Sequence, residues 1–420
     1  MAQARERSTA PESPETDLTN PDHFEHGFPH AFFRKLRREA PVYRHPEPPE
    51  EGPGFWVISR YEDVKTISRH PQLFCSGDGT TRPDADPESK AYMQLIMLNM
   101  DPPKHVKYRR IVQRGFTPRM VTAMEGPIRA QARRIVDGIA ERGSCEFVTE
   151  VAAELPLQVL ADLLGVPQEE RFRIFDLSNR LIGFEDPEFQ TSRDDARAAS
   201  AQMWAYANEL AERKRKKPGN DLTTVLMHGE VDGERLTEME FDSFFLLLAV
   251  AGNETTRNLI SLGMLTLMEN PDQRRRVLED MSLLPSAVEE MLRYTPPVMY
   301  FRRTATQDTE VHGVPIAAGD KLCLYYPSVN RDEDVFPDPD AFDVGRTPNE
   351  HLAFGIGEHF CLGANLARLE ITIMFEELLK RLPDMEIGGP VRRLRSTFID
   401  GIKEIPVRFT PQLKRASEAA

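Results

Sequence analysis

The sequence predicts a mainly α-helical fold with a small β region, organised around one unusually long helix. Three observations carry that prediction. Apolar residues recur at helical spacing over most of the 420 residues. Short β-branched or alternating runs, the mark of strands, occur in only a few places. Residues 237–269 form one unbroken helical pattern, opened by the capping box Thr237-x-x-Glu240 and stopped by Asn270-Pro271. At roughly 1.5 Å per residue this helix is about 50 Å long and crosses a whole domain.

Composition sets the outer bounds. Hydrophobic residues at 40% and charged residues at 29% describe a soluble globular chain with enough length for a large core. A formal charge of −14 argues against nucleic-acid binding. The four cysteines, Cys75, Cys145, Cys323 and Cys361, lie far apart and form neither a disulfide framework nor a Cys-x-x-Cys site. They fit a reducing, cytoplasmic compartment. The longest apolar run, 244–251, is too short to span a bilayer, so no membrane anchor is expected. Residues 1–20 are expected to be a disordered polar tail, 21–412 a single domain and 413–420 a second tail.

Taken in order, the folded part begins with a short helix at 30–40 and a Pro/Gly turn at 47–54. A strand follows at 55–58 and a helix at 61–68. Helices are then expected at 105–115, 120–142, 155–164, 168–182, 193–216 and 221–228. After the long helix comes another, started by Pro285 and stopped by Pro296-Pro297. Strand-like segments return at 310–316, 321–325 and 402–409.

The middle of the long helix is its oddest part. Leu246 to Gly252 is apolar on all sides and must be buried. Asn253-Glu254-Thr255-Thr256 follows at once, placing a carboxylate and two hydroxyls at the centre of the protein. Burying them costs free energy unless they are hydrogen-bonded. Thr255 can reach back to the Ala251 carbonyl, and Gly252 weakens the same turn. Either Glu254 only pairs with a core arginine, or the helix opens locally to admit water and a small polar ligand.

Phe354-Gly355-Ile356-Gly357-Glu358-His359-Phe360-Cys361-Leu362-Gly363 is the second unusual stretch. Its glycines allow positive φ and close approach to a flat partner. Leu362, Leu366, Leu369 and Ile373 then recur at helical spacing, which puts Cys361 at a helix N-terminus, where a thiolate is favoured. On the residues alone, Cys361 is either an ordinary buried thiol or a ligand to a metal that brings most of its own ligands, as haem iron does. Glu290-x-x-Arg293, a pair on one helical face, means little by itself.

Together, Phe354-Gly355-x-Gly357-x-His359-x-Cys361-x-Gly363, Ala251-Gly252-Asn253-Glu254-Thr255-Thr256 and Glu290-x-x-Arg293 resemble the soluble bacterial cytochromes P-450, the haem-thiolate monooxygenases. The resemblance runs from about Pro21 to Phe409. It implies that fold, with the long central helix lying over haem b, and makes Cys361 the proximal thiolate and metal ligand. It implies haem-propionate contacts for His105 and Arg109, four apart on one helical face, and for Arg303 and His359. Arg302 is the alternative to Arg303. Glu254 and Thr255 resemble the acid–alcohol pair that delivers protons to bound dioxygen, with Glu254 linking Thr255 to solvent. The family's Glu-x-x-Arg pair joins a basic residue where this chain has Ala341, within Phe336-Pro337-Asp338-Pro339-Asp340-Ala341-Phe342. Arg346 is the candidate substitute.

The resemblance also implies partners: O2, and electrons from NAD(P)H through ferredoxin reductase and ferredoxin to a monomeric enzyme. Between Lys104 and Arg119 the chain carries Lys104, His105, Lys107, Arg109, Arg110, Arg114 and Arg119 and no acid. Lys107, Arg110 and Arg114 share one helical face, which suits an acidic ferredoxin. Leu247, Val250, Ala251, Val298, Met299 and Phe398 are expected to contact substrate. With Met93, Met97 and Met100 they suggest a roomy apolar cavity for a terpenoid, steroid or branched lipid. The reading from a different class is a haem-binding sensor without turnover. A third is non-hydroxylating chemistry in the same family. Glu254 and Thr255 favour the monooxygenase.

Overall fold

The computed structural model describes residues 16–412, apart from 50, 191 and 232. In chain order the first elements are α1 (His30–Glu39), β1 (Val42–His45), β2 (Phe55–Ile58), α2 (Tyr61–Arg69), β3 (Phe74–Cys75), α3 (Pro87–Met93), α4 (Lys104–Gln113) and α5 (Pro118–Ala140). Next come β4 (Ser144–Glu146), α6 (Glu154–Leu164), α7 (Arg171–Ile182), α8 (Arg193–Lys216), α9 (Leu222–Met227) and a small hairpin, β5 (Glu230–Val231) with β6 (Glu234–Arg235). The second half holds α10 (Glu238–Glu269), α11 (Pro271–Glu279), α12 (Leu284–Tyr294), β7 (Tyr300–Ala305), β8 (Thr309–Val311), β9 (Val314–Ile316), β10 (Lys321–Tyr325) and α13 (Tyr326–Val329). It ends with α14 (Ala364–Arg381), β11 (Glu386–Ile387), β12 (Arg392–Arg393), β13 (Ile402–Glu404) and β14 (Pro406–Arg408).

The long helix forms as its sequence requires. Thr237 caps α10: its hydroxyl accepts from the Glu240 N–H at 3.3 Å, and the Glu240 carboxylate accepts from the Thr237 N–H at 2.9 Å. Its second half is buried because α6, α7, α8, α12 and α14 pack around it, but the apolar middle departs from expectation: Leu248 and Ala249 are buried, whereas Ala251 and Gly252 are exposed. Hydroxyls in this buried helix bond back to carbonyls one turn earlier, Ser261 to Arg257 at 2.9 Å and Thr266 to Leu262 at 2.8 Å. The larger sheet runs β1-β2-β10-β7-β3, antiparallel except for the parallel β2–β10 pair.

Several expected boundaries shift. The run 310–316 is a hairpin: His312 (φ 51°) and Gly313 (φ 76°) turn the chain between β8 and β9. The run 402–409 divides at Ile405, whose N–H leaves the ladder to donate to Glu146 Oε1 at 2.8 Å. β13 and β14 therefore join different sheets. The strands β1, β3, β4, β5, β6, β7, β11 and β12 were not expected, and β1 and β7 are the longest of them. In β1 the interior residues are polar or aromatic, and in β7 two arginines hide a segment that is nonetheless almost wholly buried. The first expected tail is too long at its inner end: Leu18 is completely buried and its N–H donates to His45 Nε2 at 3.1 Å. Residues 1–15 and 413–420 lie outside the described residues.

Between α13 and α14 the chain has almost no regular structure, and one buried ion cluster holds it. Glu290 and Arg293 are wholly buried and form two 2.8 Å hydrogen bonds. Arg346 supplies the basic group that Ala341 lacks: its Nε lies 3.2 and 3.1 Å from the Glu290 oxygens. Asn349 Nδ2 and the Asp343 N–H also donate to Glu290, at 3.1 and 2.9 Å. Arg293 in turn donates to the carbonyls of Asn330, Pro339 and Ala341, and Arg346 to those of Pro337, Asp338 and Ala341. A short loop sequence thus gains a fixed path to Cys361.

Candidate functional site

The cysteine loop is shaped by glycine at two points. Gly355 and Gly357 adopt φ of 70° and 78°, and a Cβ on Gly357 would come within 2.5 Å of the Ser68 carbonyl oxygen. The loop is thereby pressed against the end of α2. The Cys361 N–H donates to the Phe354 carbonyl at 2.9 Å, and α14 starts three residues later. Cys361 has exposed surface, and that surface forms part of the wall of an internal cavity. Burial among protein atoms pushes its thiol pKa up, while the Gly363 N–H, Arg109 and Arg368 pull it down.

The cavity has a volume of about 260 Å³. The cysteine loop and the start of α14 form one part of its wall. Leu247, Leu248, Ala251, Gly252, Thr255 and Thr256 of α10 form another. His105 and Arg109 of α4, Arg303 of β7 and His359 complete a basic margin. Adjacent strand residues face opposite ways, so Arg302 instead pairs with Asp84 at 2.6 Å and leaves Arg303 to the cavity.

These four side chains have no acid among them. Among the described residues the buried His105 Nδ1 has no hydrogen-bond partner, and Arg303 donates to the Arg302 carbonyl alone, at 2.8 Å. Burial, Arg109 and Arg303 press the His105 pKa down to about 4. Burial together with Arg303, His105 and Arg109 takes His359 to about 2. Burial likewise lowers Arg303 and Arg109. Gathering bases in this way is costly without an anion. The donor set is complementary to a flat, apolar dianion whose metal takes one thiolate, and haem has that chemistry.

On α10 the two expected relay residues part company. Thr255 lies on the cavity wall and its hydroxyl donates to the Ala251 carbonyl at 2.8 Å. Glu254, about 100° further round the helix, is completely buried and off the wall. Its carboxylate accepts from Asn253 Nδ2 at 3.1 Å and forms an ion pair with Arg257. Arg257 in turn donates to Asn179 of α7 at 2.7 Å. Burial raises the Glu254 pKa and Arg257 opposes the rise. The expected link from Thr255 through Glu254 to solvent is not formed here; Thr256 is the polar residue that shares the wall with Thr255.

Of the expected substrate contacts, Leu247, Ala251 and Val298 line the cavity, as does Met97. Val250, Met299 and Phe398 do not, nor do Met93 and Met100. Met299 and Phe398 belong to the core beneath the sheet, where the Met299 N–H donates to the Phe398 carbonyl at 2.9 Å. The Phe398 ring meets the edge of Tyr300 at 5.5 Å. Phe301, Leu98, and Leu160 and Leu163 of α6 also line the cavity, although they were not expected there. The usable signal was alternation along the strand, since Phe301 and Arg303 share a parity and both reach the cavity.

Comparison with known proteins points the same way. Residues 145–383 match the family model described as cytochrome P450. The chain is 42% identical over 402 residues to a steroid C26-monooxygenase of Rhodococcus jostii, covering 94% of this chain and 84% of that protein. It is 46% identical over 387 residues to a methyl-branched lipid omega-hydroxylase of Mycobacterium tuberculosis, covering 90% of each. A Mycobacterium marinum cytochrome P450 solved in complex with pseudoionone superposes with a TM-score of 0.88 at 37% identity, covering 97% of this chain and 100% of that one.

A second layer steadies the cysteine loop. Arg368 of α14 lies with its guanidinium 4.5 Å from the centre of the Phe354 ring. It donates to both oxygens of Glu289 at 2.6 and 2.8 Å, and His351 lies 3.1 Å from the same carboxylate. Burial works to raise the Glu289 pKa, but Arg368 and His351 outweigh it and take it from 4.5 to about 2. A depressed carboxyl stabilises the folded state fully above its unfolded pKa and loses that contribution as pH falls through the folded one. In denaturant titrations, wild type is therefore expected to exceed Glu289→Gln in stability above pH 4.5. The two should converge as pH falls toward about 2. A gap that stays constant with pH would contradict the pairing.

Proposed function

The chain belongs to the cytochrome P450 family and is a haem-thiolate monooxygenase, and from that premise we propose that it hydroxylates a steroid-like or methyl-branched lipid. One observation carries the reading: Cys361 and Thr255 lie on the wall of one cavity that is mostly apolar beyond its basic margin, with Thr256, Tyr326 and Glu370 the other polar residues of the wall. Bound through a thiolate, haem supplies reductive activation of dioxygen. The residues of the chain do the rest. Cys361 is proposed as the iron ligand, with His105, Arg109, Arg303 and His359 as donors to the propionates. Leu247, Ala251, Val298 and Phe301 exclude water and hold an apolar substrate by contact. No charged group on that side offers a headgroup anchor, which favours a lipid presenting a hydrocarbon part.

Thr255 is proposed to accept and pass a proton at its Oγ1. Its present bond to the Ala251 carbonyl leaves the oxygen's lone pairs available to a water or ligand in the cavity. A sensor without turnover has no use for such a hydroxyl. Electron supply by ferredoxin is supported by charge. Lys104, Arg110 and Arg119 are exposed in a protein of net charge −14. Phe360, 43% exposed, carries that surface to the cysteine loop, since Arg109 donates to its carbonyl. The Arg114 side chain lies outside the described part. All four cysteines are free thiols, which supports the cytoplasm, and no helix among the described residues is long and apolar enough to cross a membrane.

Thr255→Ala is expected to leave the substrate-induced spin-state shift intact while several-fold more of the electrons consumed emerge as hydrogen peroxide. Unchanged coupling would refute the proton role. Arg110→Glu combined with Arg119→Glu should slow reduction by an acidic ferredoxin at low salt and leave dithionite reduction unaltered. Equal ferredoxin rates would remove the docking face.

A further inference from the structure

Strand alternation along β10 sorts its side chains between two cores, Leu322 and Leu324 to one, Cys323 and Tyr325 to the other. Tyr326, the first residue of α13, keeps the parity of Leu324 and stands on the cavity wall with Phe301 and Arg303 of β7. Its N–H still donates to the Met299 carbonyl of the neighbouring chain segment, at 2.9 Å. Its ring packs edge-on against Phe301, with ring centres 6.2 Å apart. A Cβ on Gly355 would come 3.8 Å from the Tyr326 hydroxyl, so the phenol ends beside the cysteine loop.

That hydroxyl is unused. Tyr326 is 3% exposed, yet among the described residues its Oη has no hydrogen-bond partner. Tyr61, Tyr206 and Tyr300 show the ordinary outcome for a buried phenol, bonded to the Glu350 carbonyl, to Glu170 and to the Arg82 N–H. Tyr325 also lacks a partner, but it lies in the core beneath the sheet and off the cavity wall. Burial raises the Tyr326 pKa and Arg303 draws it back, so the phenol keeps its proton at neutral pH close to the basic margin. We propose that Tyr326 is a further cofactor-holding residue, whose phenol donates a hydrogen bond to a haem carboxylate beside Arg303. This rests on the haem-thiolate reading above. The four bases of the margin supply positive charge, whereas a phenol supplies a directed hydrogen bond and adds no charge. A lipid held by Leu247, Ala251 and Val298 presents hydrocarbon, so the carboxylates that the basic margin collects are the acceptors at hand.

Tyr326→Phe keeps the ring and removes only the hydroxyl. In the haem-loaded variant, the propionate bending band in resonance Raman spectra should move to lower frequency. Haem should pass to excess apomyoglobin several-fold faster than from the wild type. The ferric–ferrous reduction potential should become more negative, because a carboxylate that loses a donor exerts more of its charge on the iron. Tyr325→Phe, one residue away in the core, should match the wild type in all three. The wild type supplies a check that needs no variant to fold. With isotopically labelled tyrosine, its reduction-induced infrared difference spectrum should contain a label-shifted tyrosine band, and absence of that band overturns the proposal. An unchanged Raman band and unchanged haem loss in Tyr326→Phe overturn it too, as does an effect confined to substrate affinity, which would make the phenol a substrate contact. The carbon monoxide difference spectrum separates the two levels. If the wild type lacks the red-shifted thiolate band, the haem-thiolate reading has failed. If that band is present while the Raman band and haem loss are unchanged, only the role of Tyr326 has failed.

Discussion

The buried carboxylate of Glu290 is the interaction on which the site depends. The chain from α13 to α14 contains almost no repetitive hydrogen bonding, yet it must deliver a cysteine to one place beside α10. Glu290 accepts from Arg293, Arg346, Asn349 and a backbone N–H, and the two arginines go on to five loop carbonyls, that of Ala341 being shared. Breaking a buried pair by deleting one partner strands a charge and typically costs about 3–5 kcal/mol. The cluster is worth less as net stabilisation than as a device that leaves the loop a single path. Gly357 completes the path, since no other residue allows both its φ and its contact with Ser68.

The cavity is built on the opposite principle. Around Glu290 every charge is matched, whereas at the cavity margin His105, Arg109, Arg303 and His359 gather without an acid and are pushed toward neutrality. Glu370 is unmatched with the other sign. Such a gathering of titratable groups without matching partners is common at functional sites. The basic margin suits an anionic cofactor.

Much of this was legible in the sequence, for physical reasons. The capping box and the Asn-Pro stop bound α10, because caps are chemically specific. The bond from Thr255 to Ala251 follows from a threonine in a buried helix. Arg346 could be named because the resemblance calls for a basic residue where this chain has Ala341. Rotation was not legible. Whether Glu254 or Thr256 shares a wall with Thr255 depends on what packs on α10, and Arg257 with Asn179 decided it. Val250, Met299 and Phe398 failed likewise, since an apolar residue near a site looks the same whether it faces cavity or core. β7 was hidden by Arg302 and Arg303, whose partners, Asp84 for one and the cavity for the other, lie far off in sequence. Glu370 carried a readable signal, an acid on the apolar face of a helix marked by Leu366 and Ile373.

The central claim is that Cys361 is the ligand joining this loop to haem iron. A carbon monoxide difference spectrum of the reduced, haem-loaded protein, recorded beside Cys361→His, tests it most directly. The expected result is the red-shifted band of a thiolate-bound carbonyl complex in the wild type, replaced in the variant by the shorter-wavelength band of nitrogen-ligated haem. The same band in both proteins, or a wild type without the red-shifted band, would contradict it.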